Sequence, residues 1–145
     1  MFGLGKMFSK KAAAIKSTGA KMTNKDLVEA VVSGSLLVAF ADGNCEDAEI
    51  NALENILASD DQFDAWRSEI PGMIAKYAAK FSAGYKLGKL SALREISDLN
   101  SDKKDAELAL VCIITVAEQG GVDEKEKAVL SEIAVAFGLR LDSYL

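Results

Sequence analysis

The feature that most constrains this chain is an internal repeat: displaced by 77 residues, the sequence meets a copy of itself without a gap. Leu36 and Leu37 fall on Ile113 and Ile114, Gly43 on Gly120, and Cys45 on Val122. Glu46, Asp47 and Glu49 fall on Asp123, Glu124 and Glu126, and beyond them Leu53 meets Leu130 and Ile56 meets Ile133. Apolar, turn and acidic positions agree together, which isolated coincidences do not achieve. The period exceeds that of a solenoid unit, roughly 20–45 residues. It predicts one domain built from two copies, with a pseudo-twofold between the halves.

Each copy reads as helices. Thr23-Asn24-Lys25-Asp26 resembles a capping box, and Leu27, Ala30, Val31, Gly34, Leu37, Val38 and Ala41 follow at helical spacing, up to Asp42-Gly43-Asn44. A second helix opens at Glu46 and buries Ile50, Leu53, Ile56 and Leu57 before Ser59-Asp60-Asp61. The middle keeps helical spacing from Phe63 to Phe81, kinked near Pro71-Gly72. Phe81 to Gly88 reads as a turn, and Leu90, Leu93, Ile96 and Leu99 form the apolar stripe of a further helix. A long apolar helix from Lys103 to Glu118 is broken at Gln119-Gly120-Gly121, and a last one runs from Asp123 to Phe137 with Gly138 as its C-cap. No alternating run of β-branched residues marks a strand, so the class is all-α. Residues 1–22 read as a basic amphipathic N-terminal segment, and residues 23–145 as the helical domain with acidic loops at 41–49 and 118–126.

Charge is unevenly spread. Six lysines and no acid occur in residues 1–25, so the remaining residues hold 11 basic against 22 acidic groups, a net of −11. A second basic stretch, Lys76, Lys80, Lys86, Lys89 and Arg94, lies in the acid-free interval between Glu69 and Glu95. Separate positive and negative faces follow. Lys6, Lys10, Lys11 and Lys16, beside Leu4, Met7, Phe8 and Ile15, suit an anionic membrane surface, a partner helix or a loose tail alike. Lys76, Lys80, Lys86 and Lys89 are the matching docking residues of the second stretch. Tyr77 and Phe81 interleave with them but sit at core spacing, and a pI near 4.8 argues against nucleic acid. Cys45 and Cys112 read as reduced core residues. No apolar run spans a bilayer and no secretory pattern precedes the body, which predicts a cytoplasmic protein. With no histidine and no motif around any serine or cysteine, the chain reads as a non-enzyme.

The two loops, Ala41 to Glu49 and Ala117 to Glu126, resemble the paired acidic motifs of the TerB family of tellurite-resistance proteins. The Phe81 to Lys89 stretch, the Leu93–Leu99 and Leu108–Ala117 helices, and the closing Ile133-Ala134 to Phe137-Gly138-Leu139 agree as well. The similarity covers residues 25–142. It implies about seven helices in two pseudo-twofold halves. It further implies cytoplasmic members held at the inner membrane by an integral-membrane partner, TerC, in tellurite, phage and colicin resistance and the stress response. Acidic loops that bind metal are also implied.

The residues themselves leave two readings of those loops open. Asp42, Asp47 and Glu49 in one half, and Asp123, Glu124 and Glu126 in the other, offer hard oxygen ligands suited to Ca²⁺, Mg²⁺ or Mn²⁺. Neither loop has the ligand spacing of an EF-hand. Glu46-x-x-Glu49 and Asp123-x-x-Glu126 also stand where capping boxes would, and acids in a first turn complement the helix dipole. Asp42 corresponds to Gln119, so the second loop is the poorer ligand set. The alternative function is a structural or adaptor module without metal, recognising a protein through its charged faces.

Overall fold

Asn24 begins the first described helix: its side chain accepts the Leu27 N–H at 2.8 Å while its own backbone stays extended. The computed structural model describes residues 24–43 and 45–145, so the basic N-terminal segment with Lys6, Lys10, Lys11 and Lys16 lies outside the described residues. Helix α1 (Lys25–Ala39) is followed by α2 (Asp47–Ser59), a 3-10 turn (Asp61–Trp66), α3 (Ile70–Ala83) and α4 (Tyr85–Ser97). Then come α5 (Lys103–Gly120), α6 (Glu124–Ala136) and a closing 3-10 turn (Leu141–Tyr144). No strand occurs among the described residues, and the all-α class holds.

The central element is α1. It is buried almost without interruption from Leu27 to Val38 and touches each of the five other α-helices among the described residues. That explains its sequence, which is apolar around the whole circumference rather than along one stripe. Helix α5 lies beside it with Ala106, Ala109, Leu110, Val111, Cys112, Ile113 and Ile114 buried. Helix α6 ends in a Schellman turn: Gly138, at φ +77°, donates its N–H to the Val135 carbonyl at 2.9 Å, and Leu139 donates to the Ala134 carbonyl at 2.8 Å. Tyr144, also buried, donates its hydroxyl to Glu107 Oε2 at 2.5 Å and anchors the C-terminal turn on α5.

The repeat is visible in the elements. α1–loop–α2 and α5–loop–α6 have the same order, and α2 and α6 begin and end at residues 77 apart. The glycines depart from that register. Left-handed φ values belong to Gly43 (+83°) and Gly121 (+79°), not to Gly43 and Gly120, because α5 continues through Gly120 past the point where α1 stops.

Three local expectations are corrected. Pro71 does not kink a helix; it sits in the first turn of α3, where its missing N–H costs nothing. Phe81 to Gly88 is not a turn, since Gly84 alone separates α3 from α4. The buried face of α4 is Gly88, Ala92 and Ile96, whereas Leu90 is 56% exposed and Leu93 half-buried. The small residues allow α4 close approach to α3: a Cβ on Gly88 would collide with the Phe81 ring and stand 2.7 Å from Phe81 Cα. Phe81 in turn stacks on Phe40 at 4.7 Å between centroids.

Candidate functional site

Two loops formed by equivalent sequences end up facing one cleft. Its lining draws on the last turn of α1 (Ser35, Val38, Ala39), on α2 (Glu49, Leu53, Ile56), on the end of α5 (Val116, Gly120) and on Glu126 of α6. The cleft encloses about 210 Å³. Glu49 and Glu126, which the 77-residue repeat makes equivalent, therefore share one space although they are far apart in the chain.

Each glutamate is held by the helix it opens. Glu126 Oε1 accepts the Asp123 N–H at 3.1 Å while Asp123 Oδ1 accepts the Glu126 N–H at 2.8 Å, a complete capping box. Glu49 Oε1 accepts the Glu46 N–H at 3.2 Å, and its own N–H bonds to the Glu46 backbone carbonyl at 2.9 Å. Glu46 and Glu49 thus form the same kind of reciprocal box at the start of α2. Burial raises the proton affinity of Glu126 above the ordinary glutamate value; the backbone N–H of Asp123 opposes that rise, and the charges of Asp123 and Asp42 add to it. Asp42 belongs to the other half, so the loops lie close enough to feel one another. Its carboxylate also meets Lys125 Nζ of α6 at 3.4 Å, an exposed pair.

Of the six predicted ligands, Glu49 and Glu126 line the cleft, while Asp42 is not part of its lining and pairs with Lys125. Asp123 is committed as an N-cap, and Asp47 and Glu124 are exposed first-turn residues. Among the described residues no three acidic or cysteine side chains gather where an ion would be held. Cys45 borders this region half-buried, and burial, with the charges of Glu49, Asp47 and Glu46, pushes its thiol up to about 11. Neither cysteine forms a disulfide. Sequence reasoning passed over Ser35, which is 4% exposed, lines the cleft and has a hydroxyl without a hydrogen-bond partner. Its place in an apolar helix run was the only available hint.

The basic stretch forms a second surface. Lys76 pairs with Glu29 at 3.8 Å and Lys89 with Glu132 at 2.6 Å, so two of the four predicted docking lysines are engaged by the body. Lys80, which hydrogen-bonds Ser91 at 3.0 Å, lies with Arg94 around a shallow hollow lined by Leu87 and Leu90. Those two leucines, 62% and 56% exposed, sit on the same outward face of α4 as Lys86. Tyr77 and Phe81 are core residues, as their spacing predicts. No helix among the described residues is long and apolar enough to cross a membrane.

Comparison with known proteins returns one family: the model described as tellurite resistance protein TerB matches residues 28–144. No curated protein and no solved structure matches.

Proposed function

Because this chain belongs to the TerB family of tellurite-resistance proteins, we propose that it is a non-catalytic interaction module of a tellurite-resistance stress response, docking on a membrane-linked complex. The observation that carries the docking is the outward face of α4, where Leu87 and Leu90 are exposed beside Lys80, Lys86 and Arg94. Exposed large apolar side chains ringed by cations mark a contact surface rather than a merely solvated one. The occupant of this face is an acidic surface of the complex, such as that of a TerC-like integral-membrane protein, on the cytoplasmic side. Replacing Leu87 and Leu90 by Asp reverses both features without touching the core. In cells that depend on the remaining resistance proteins, this variant is expected to lose tellurite tolerance at unchanged abundance and unfolding midpoint. Full tolerance in the double variant defeats the docking assignment.

The second reading concerns a divalent cation at the acidic loops, and the charge of Asp42 acting on Glu126 across the two halves favours it. Glu49 and Glu126 would face the ion, with Asp42 acting only as a nearby charge, since no three acidic side chains gather among the described residues. The donors are chemically right for Ca²⁺, Mg²⁺ or Mn²⁺ but spatially incomplete, since hard cations take about six or more oxygens. Calorimetry with each ion, on wild type and on Asp42→Asn with Glu49→Gln, tests it. Binding tighter than millimolar that disappears in the variant supports the ion; heats indistinguishable from dilution remove it.

A further inference from the structure

We propose that the contact face of α4 continues across α6 and receives an amphipathic helix with acidic flanks. The proposal rests on the reading of α4 as the docking surface and names the shape and charge of the segment that covers it.

Leu87, Leu90 and Val135 are the exposed large apolar side chains among the described residues, at 62%, 56% and 74%. They are not scattered. Leu87, Leu90 and Leu93 recur at every third position of α4 and so form one row along it. Leu93, half-buried, shares a shallow hollow with Val135 of α6, while Leu87 and Leu90 line a second hollow with Ala83 of α3. Lys89 of α4 and Glu132 of α6, joined at 2.6 Å, tie the two helices together beside the row. One apolar strip therefore runs over α4 and onto α6.

The charge around the strip has one sign. No ion pair among the described residues involves Lys80, Lys86 or Arg94, and the neighbouring Glu132 is already engaged by Lys89. Unpaired cations beside apolar side chains are matched by apolar side chains bordered with Asp or Glu. The shape favours a helix. No sheet edge occurs among the described residues, so an extended peptide finds no strand to pair with. A row with a hollow on each side accepts the side chains that a helix projects from one face at alternate spacings of three and four. The rise along α4 plus one interhelix spacing makes roughly 18 Å, about twelve residues of a partner helix.

The probe is a stapled acidic amphipathic helix, with leucines along one face and glutamates flanking them, titrated into the full ¹⁵N-labelled chain. Saturable amide shifts at Leu87, Leu90, Leu93 and Val135 on one curve are expected. A scrambled peptide of the same composition, and the peptide against Val135→Asp, should each bind roughly tenfold more weakly. Lys86→Glu with Arg94→Glu is expected to do the same. Equal binding of the scrambled peptide, shifts confined to α4, or no saturable shift overturns the proposal. Concentration-dependent shifts of these resonances without peptide assign the face to a second copy. Saturation by phosphatidylserine vesicles that the peptide does not compete with assigns it to lipid; either result also overturns the proposal. In cells, Val135→Asp is expected to lose tellurite tolerance as the Leu87 and Leu90 double variant does, at an unchanged unfolding midpoint. Tolerance kept by Val135→Asp but lost in the leucine pair overturns the extension onto α6 and leaves docking on α4 standing. Tolerance kept by both removes the docking itself.

Discussion

At Gly88 the missing side chain is what allows α4 to lie against α3. A Cβ there meets the Phe81 ring and backbone, neither of which has room to move, because Phe81 is itself stacked on Phe40. At Gly34 the nearest obstacle is Ile113 Cδ1 at 2.5 Å, the far end of a flexible side chain. Gly88→Ala is therefore expected to destabilise by about 1–3 kcal/mol, and Gly34→Ala by distinctly less, in urea unfolding. A second residue-scale prediction concerns Glu126. Its proton affinity in the folded chain exceeds the ordinary value of 4.5, so the folded state binds that proton more tightly than the unfolded state. By linkage, this group's contribution is most favourable below pH 4.5 and declines as pH rises from there through the folded value. Glu126→Gln keeps the helix cap and removes the charge, so it should raise the unfolding midpoint more at pH 7 than at pH 4. Equal shifts at the two pH values contradict the assignment.

Among the elements, the two repeat helices α2 and α6 show how similar sequences reach unequal starts. Both open with a reciprocal box, but Asp123 is of a residue type favoured at the N-cap and accepts the Glu126 N–H at 2.8 Å, whereas Glu46 is not a favoured N-cap residue. Asp123→Ala is expected to cost about 1 kcal/mol, and Glu46→Ala less, measured as denaturation midpoints of the two single variants. These helix starts were legible in the sequence because capping is local: the cap residue and its glutamate lie within one turn. So was the burial of α1, where nearly every position is apolar. The face of α4 was not, since leucines at helical spacing compete with Gly88 and Ala92, and only the approach of α3 and α1 decides which side is buried. The Gly84 break was missed for a similar reason, because the eight residues from Phe81 to Gly88, of turn-like composition, hid two helix ends that meet at one glycine. The candidate site was half legible: the repeat identified Glu49 and Glu126 as equivalents, but their sharing a cleft with Ser35 is a tertiary fact.

Across the whole molecule, the duplication has a consequence that neither half possesses alone. Each acidic loop in isolation is a helix start with a cap. Brought together around α1 and α5, the loops surround a cleft of about 210 Å³ with carboxylates from both copies. The basic, leucine-bearing surface of α4 supplies a separate contact face on a body whose residues beyond 25 carry a net charge of −11. The molecule thus carries two distinct surfaces, the basic leucine-bearing face of α4 and the acidic cleft between the loops. Under the proposed function, the paired loops act as a single site rather than two independent caps. The direct measurement is the amide-shift response of Glu49 and Glu126 during one titration series with Mg²⁺ and Mn²⁺, the latter read by line broadening. At least one of these ions is expected to move or broaden both resonances along the same saturation curve, and Glu49→Gln alone is expected to weaken the response at Glu126. Two unrelated curves, or no saturable response at either residue, contradict it.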